Sequence, residues 1–301
     1  MCTGKISVVI NTLNEEENLP RALKSVKDWA GEIVVVDMHS DDKTVEIAKK
    51  YGARVFTHKK TGYVEPARNY AITKATCEWI LVLDADEEIP DSLARKLTEL
   101  KDNDSISYYA VPRKNIVFDK WLTHSRWWPD RNIRFFKKGA VEWAREIHSV
   151  PLTHGKGADI DAIEDLAIVH HHYSSVSQYI KRHDRYSTIM AKEKYKNGEK
   201  FNWKLLISKP VGEFLSRYFA GEGYKDGVHG LVLSTLQAFV EFLIYVKLWE
   251  MHKFPEREIS LVEIINELKT SQKEINYWTA DTMVRENGGL VNQIKRKFKL
   301  P

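Results

Sequence analysis

Residues 81–90 read LVLDADEEIP, three aliphatic residues that lead straight into Asp84, Asp86, Glu87 and Glu88. An apolar run of this kind makes a buried strand, yet here it ends in four carboxylates within five positions. Two aspartates at i and i+2 leaving a strand can aim oxygens at one hard cation. A magnesium or manganese ion held by few carboxylates completes its shell with water and substrate phosphates. The same stretch also reads as an acidic turn that caps the next helix. Taken alone, Asp-x-Asp leaves the two readings open.

The surrounding pattern decides what positions these groups. KISVVI (5–10) is a short β-branched run, and LPRALKSVKDW after it repeats its apolar residues at helical spacing, so strand then helix is expected, with Asn18 as cap and Pro20 in the first turn. EIVVVD (32–37) is a second apolar run, followed by a helix capped by Asp41 or Asp42 and stopped at Gly52. ARVFTH (53–58), PARNYAITKA (66–75) and EWILVL (78–83) extend the pattern, and Pro90 opens the helix DSLARKLTEL. Strands without alternation are buried on both faces, which predicts an α/β fold with a mostly parallel sheet flanked by helices. In such sheets ligands bind outside the carboxyl ends of the strands. Asn11 to Glu15, Asp37, and Asp84 to Asp86 all follow strand ends, so three polar clusters converge on one crevice.

Composition narrows the class. The chain has 301 residues, 43% of them hydrophobic, enough for one large core or two smaller ones. Forty-six basic against 42 acidic residues leave a net charge of +4, too slight an excess for a nucleic-acid binder. Two cysteines, Cys2 and Cys77, give no disulfide framework and no metal-knuckle spacing, and no apolar signal segment follows the first charged residues. A reducing, cytoplasmic setting is expected.

TLNEE (12–16), VVVDMHSDDKT (34–44), PARNYAITKA and WILVLDADE (79–87), in this order and at these separations, resemble the nucleotide-sugar domain of the family 2 glycosyltransferases, whose fold is called GT-A. The resemblance covers residues 5–100 closely and runs more loosely to about residue 250. Within the family the chain is most similar to the bacterial lipopolysaccharide-core glucosyltransferase branch, in PDRNIRFF (129–136), REIHSV (145–150), IVHHHYSSVSQYIKRHDRYS (168–187) and GYKDGVHG (223–230). The resemblance implies that Thr12, Asn14 and Glu15 line the nucleotide pocket and that Asp37 accepts a hydrogen bond from the base. It also implies that Arg68 sits near the diphosphate, that Asp84 and Ala85 face the ribose, and that Asp86, with Asp84, holds a Mg or Mn ion. An inverting transfer places a general base on the acceptor side of the donor sugar. Asp130 and Glu146 are the carboxylates to consider, and His148 is a third group able to take a proton or bind metal. His170, His171 and His172 look like a metal site, but consecutive strand residues alternate faces and cannot easily share one ion, so a structural or acceptor-loop role is expected.

Two domains are expected: a catalytic domain over residues 1–195, with a nucleotide-binding half (1–100) and an acceptor half (101–195), and a helical extension over 196–301 that associates with membrane or with a second copy. Residues 230–249 are long enough to cross a bilayer, yet Gln237 and Glu241 stand one turn apart within them, and 200–250 read as a substructure lying against a membrane. Lys295, Arg296, Lys297 and Lys299 surround Phe298 and Leu300, a pattern that reads equally as a stretch attracted to anionic lipid and as a disordered solubilising tail. Trp121, Trp127, Trp128 and Trp143 suit stacking on sugars or burial, and Arg113, Lys114, Arg126, Arg131 and Arg134 could receive phosphate.

The function expected is transfer of a hexose, from a donor most simply UDP-linked, to a glycolipid or lipopolysaccharide-type acceptor by a peripheral enzyme on the inner face of the cell membrane. Transfer to a polyprenyl phosphate or a protein is the alternative. A sugar-nucleotide pyrophosphorylase would need a Gly-rich loop where NTLNEEEN stands, and a silent membrane-bound lectin would not need an intact Asp84-Ala85-Asp86 with Arg68.

Overall fold

The computed structural model describes residues 2–60, 65–143 and 151–301. Glu146 and His148 lie outside the described residues. The chain forms two compact units, Met1–Ile116 with Trp128–His172, and Val117–Trp127 with Tyr173–Pro301.

The first unit begins with the expected strand–helix alternation: β1 (Cys2–Thr12), α1 (Leu19–Val26), β2 (Glu32–Asp37), α2 (Thr44–Lys50), β3 (Arg54–Thr57), α3 (Glu65–Lys74), β4 (Cys77–Asp84), β5 (Glu87–Glu88) and α4 (Asp91–Leu100). Next come β6 (Tyr108–Val111) and β7 (Arg113–Val117). After β8 (Lys120–Trp121), which belongs to the second unit, the first resumes with β9 (Asn132–Lys137), β10 (Val141–Glu142), β11 (Leu152–Thr153), β12 (Gly157–Asp159) and β13 (Ile168–Tyr173). The main sheet runs β12-β6-β9-β4-β1-β2-β3. β1 pairs in parallel with β2 and β4, β2 with β3, and β6 with β12, while β9 is antiparallel to both β4 and β6. This is the mostly parallel, helix-flanked sheet of the GT-A fold.

The uninterrupted apolar runs are explained by cover on both faces. Val8, Ile10, Val35, Leu81 and Leu83 pack with Leu19 and Leu23 of α1 and Leu93 and Leu97 of α4 on one side. Val9, Val34, Val36, Ile80 and Val82 pack with Ala71 and Ile72 of α3 and with Phe136 on the other. Neighbouring residues of one strand thus feed two cores, which leaves no position for alternation to polar residues. The sheet's strand ends then place Thr12, Asp37 and Asp84 level with one another, in the registers Thr12–Asp37 and Asn11–Asp84.

The helix starts differ in detail from expectation. Asn18 does precede α1 but gives no side-chain cap, because its amide is bonded to Glu15 and Arg21 instead. At α2 the preceding residue is Lys43, yet Asp42 still accepts from the Thr44 amide at 2.9 Å. The expectation of unlinked cysteines is corrected: Cys77 is disulfide-bonded, and the β1/β4 register sets Cys2 directly across from it.

In the second unit, α5 (Val176–Lys196) is capped by Ser175, whose hydroxyl accepts from the Gln178 amide. It is followed by α6 (Leu205–Leu215), α7 (Val228–Met251), α8 (Leu261–Asn287) and α9 (Leu290–Phe298). Val117, Leu122, Tyr173, Tyr179, Leu233, Val240 and Ile244 form its core. By length and composition α7 could cross a membrane. Its Gln237 accepts from the Tyr179 hydroxyl at 2.9 Å, and its Lys247 reaches Asp184, Ser187 and Thr188 of α5. Gly230 lets α7 start against Gly223, since a β-carbon there would stand 1.7 Å from the Gly223 carbonyl oxygen. Asp226, from GYKDGVHG, is buried and accepts from the Thr123 and His124 amides.

Candidate active site

The four carboxylates at and beyond the end of β4 each face a basic side chain of the first unit. Asp84 Oδ1 accepts from Arg68 Nη2 at 2.8 Å and Asp84 Oδ2 from Arg134 Nη2 at 2.6 Å. Glu87, fully buried, accepts from Arg134 at 3.0 Å and from Arg113 at 3.2 Å, and its other oxygen accepts from the Asp84 amide at 2.9 Å. Asp86 Oδ2 stands 3.5 Å from His170 Nε2, and Glu88 Oε2 stands 3.4 Å from His171 Nε2. The acidic run is therefore one half of a compact ionic cluster whose other half comes from α3, β7, β9 and β13. Buried charge demands such pairing, since an isolated buried carboxylate would neutralise instead.

The electrostatics follow from these pairs. Burial would raise the Asp84 carboxyl, but Arg134 and Arg68 outweigh it and hold it well below the usual carboxylate range. Burial likewise opposes, and Asp84 and Glu87 more than restore, the proton of Arg134, whose pKa is raised. Arg113 and Arg134 are interior ion-pair partners here, where the sequence reading had them open to phosphate.

His170 is oriented through a relay. Asn115 Nδ2 donates to Asp130 Oδ2 at 3.1 Å, so Asn115 Oδ1 is left to accept from His170 Nδ1 at 2.6 Å. That makes Nδ1 the donor and turns Nε2 toward Asp86, where the neutral imidazole offers its lone pair. Two acceptors facing each other at 3.5 Å are favourable only with a proton or a metal cation between them. Asp130 is in turn held by Arg113 at 2.6 Å and by Asn132 at 3.0 Å. Burial pushes its pKa up, but Arg113 and Asn115 bring it below the ordinary value.

These contacts sort the expected metal ligands. Both oxygens of Asp84 accept from guanidinium groups, and Asp86 Oδ2 stands against His170 Nε2. Asp86 and His170 are the donor pair that suits a divalent cation. Among the described residues no group of three or more His, Cys, Asp or Glu is arranged to hold a metal. A two-donor site is still sufficient for Mg or Mn, which takes its other ligands from water and phosphate oxygens.

The loops after β1 and β2 come together as expected. Thr12 Oγ1 donates to Asp37 Oδ1 at 3.2 Å, and Asp37 also accepts from the Ser40 amide at 3.0 Å. Asn14, in the left-handed region at φ 57°, accepts from the Asp41 amide at 2.8 Å and gives its own amide to Ser40 Oγ. Glu15 gives its amide to Thr44 Oγ1. Asn14 and Glu15 thus clamp the two loops and set the spacing between Thr12 and Asp37. Arg68 lies over the Trp143 ring at 5.3 Å, and Asn69 bonds the Trp143 backbone in both directions, so buried Trp143 positions α3 rather than a sugar.

Sequence reasoning set Asn11 in the strand-end cluster and Glu87 in the acidic run without finding a role for either, and it missed Asn115 and the pairing of His170. Asn11 is only 7% exposed, and neither amide atom has a partner among the described residues; Arg68 Nε and Arg134 Nε and Nη1 are in the same condition. On paired strands Asn11 stands next to Asp84. The donors and acceptors left over at this strand end suit a polyhydroxylated, anionic ligand.

Comparison with known proteins identifies the family. The model of "Glycosyl transferase family 2" matches residues 7–158. An uncharacterised glycosyltransferase of Rickettsia typhi is 33% identical over 258 residues, 82% of this chain and 87% of that one. A lipopolysaccharide core biosynthesis glycosyltransferase of Rhizobium meliloti is 25% identical over 260 residues, 84% of this chain and 94% of that one. The crystal structure of glucosyl-3-phosphoglycerate synthase from Mycobacterium tuberculosis with Mn2+, UDP and glucosyl-3-phosphoglycerate is 24% identical, covering 37% of this chain and 43% of that one with a TM-score of 0.30. By the family match over half its length and the relative matched along most of its own, this chain belongs to glycosyl transferase family 2, and it is a glycosyltransferase.

Proposed function

We propose that the chain is a metal-dependent, inverting hexosyltransferase that uses a UDP-linked sugar and glycosylates a lipid-borne acceptor of the lipopolysaccharide type at the cytoplasmic face of the membrane. One observation carries the donor and cofactor part: His170 Nε2 and the Asp86 carboxylate face each other at 3.5 Å beside the Asp84–Arg68–Arg134 cluster. A divalent ion bound by Asp86 and His170 would neutralise charge developing on the departing diphosphate. Asp37 and Thr12 would hold the base, and Asn11 would meet a donor hydroxyl with its unpaired amide. Asp84, tied to two arginines, keeps those cations beside the phosphates rather than ligating metal itself.

The acceptor hydroxyl needs a proton acceptor. Asp130 is disfavoured, because Arg113 and Asn115 hold its carboxyl below the ordinary value. We assign the step to Glu146, with His148 as the group that would take over if Glu146 is silent. The acceptor class is supported by the lipopolysaccharide-core relative at 25% identity.

Thermal-shift screening of nucleotide sugars with and without manganese tests the reading. UDP-hexoses with manganese should raise the transition temperature most. No shift with any nucleotide sugar would overturn it.

A further inference from the structure

Helix α9 (Leu290–Phe298) is packed with its polar side inward. Arg296 Nη1 reaches Asp281 Oδ1 of α8 at 3.1 Å, and Asn292 donates to the Gly288 carbonyl at 2.9 Å. Just past the helix, Lys299 Nζ meets Glu274 Oε1 at 2.6 Å, and Asn276 of α8 donates to the Lys299 carbonyl at 3.0 Å. The opposite side is apolar and uncovered: Leu290, Val291, Ile294 and Phe298 are 76%, 66%, 53% and 62% exposed. Spaced at i, i+1, i+4 and i+8, they form one stripe along the helix. A helix that rests against its own unit alone would bury this stripe and turn Arg296 and Asn292 to water.

We propose that α9 docks on an anionic bilayer, its apolar stripe sunk to the acyl boundary and its lysines at the headgroups. The proposal deepens the reading of a lipid-borne acceptor and rests on it. Charge selects the occupant. Lys295 and Lys297 flank the stripe, and residues 288–301 contain no acidic side chain. A second copy packed symmetrically on the same stripe would bring these lysines together, whereas phosphate headgroups attract them. The inward salt bridges have a part in this, because they pin the helix so that its apolar side is presented before any membrane is met. Such a helix combines apolar burial with attraction to anionic lipid, as interfacial helices do.

The test uses the full chain and co-sedimentation with vesicles of phosphatidylcholine, with and without phosphatidylglycerol. Wild type should pellet with the anionic vesicles at low salt and largely leave them at high salt. Ile294→Ser with Phe298→Ser should weaken that binding at least about tenfold, from the apolar burial lost. Both positions are exposed, so the thermal transition should match wild type. Lys295→Gln with Lys297→Gln should weaken binding to anionic vesicles and flatten its salt dependence. Wild type that pellets while the Ile294/Phe298 variant pellets equally well would overturn α9 as the docking surface and leave the membrane reading standing. Wild type that stays in the supernatant with every vesicle would overturn both docking and membrane association. A variant that changes sedimentation velocity from dimer to monomer, with vesicle binding intact, would make a second copy the occupant and overturn the proposal.

Discussion

Replacing Asn115 by Leu removes the link that sets the direction of His170. Asn115 is 1% exposed and bridges Asp130 and His170 with bonds of 3.1 and 2.6 Å. Asp130 keeps Arg113 and Asn132, while the His170 Nδ1–H loses its acceptor, at a cost of about 1–3 kcal/mol. That corresponds to a fall of roughly 3–10 °C in the transition temperature for a protein of this size class. His170 escapes the penalty by moving its proton to Nε2, where it donates to Asp86 and no longer offers a lone pair. Loss of such an outer contact typically weakens metal binding by about 10–100-fold. Manganese binding in the presence of UDP, followed by the EPR signal of the free ion, reads the affinity. Nitrogen-15 shifts of the imidazole read the tautomer independently of any metal. Wild type should have Nδ1 protonated and Asn115→Leu should have Nε2 protonated. Unchanged manganese affinity together with the tautomer shift would refute the role of His170 as a ligand. An unchanged tautomer would refute the relay itself.

Further outcomes follow from the site. Arg134→Met breaks a buried pair with two carboxylates, each of which retains one arginine, and should cost about 3 kcal/mol, measured by denaturant unfolding. Because the Asp84 pKa is depressed in the fold, its stabilisation is present above the ordinary carboxylate pKa and lost as pH falls below it. Arg134→Met should bring on acid unfolding at higher pH, which a pH series of melts would check. Asn11→Leu should leave the free protein as stable as wild type or about 1 kcal/mol more so, since it removes an unpaired buried amide, while the shift produced by UDP-sugar shrinks. Glu146→Gln should keep donor affinity and lose about a hundredfold to ten-thousandfold in transfer rate, whereas Asp130→Asn should cost mainly stability.

The strands were legible because both faces of the sheet are covered: EIVVVD reads as a strand with the bounds of β2, and DSLARKLTEL reads as a helix with the bounds of α4. Thr12, Asp37 and Asp84 were legible as a cluster for the same reason, since each stands at a strand end, whereas Arg68, inside α3, was reached only through the family resemblance. The partners of the acidic run were not. Arg134 is 50 residues from Asp84 and Asn115 is 55 from His170, and nothing local marks either pairing. The three histidines illustrate how far periodicity reaches. Alternation correctly separates His170, toward Asp86, from His171, toward Glu88, and stacks His170 on His172 at 4.4 Å. It does not reveal that β13 pairs with β5, the tertiary fact that brings His170 to Asp86. Arg113 and Arg134 could be read as groups open to phosphate because charge alone says nothing about burial.

Release of UDP from a UDP-hexose, measured with manganese, with EDTA, and with manganese restored after EDTA, tests the central claim most directly when run on wild type and on Asp86→Asn. A metal-dependent transferase should release UDP with manganese, stop with EDTA, recover when manganese returns, and lose turnover in Asp86→Asn under every condition. Turnover that persists in EDTA, or that survives undiminished in Asp86→Asn, would contradict it.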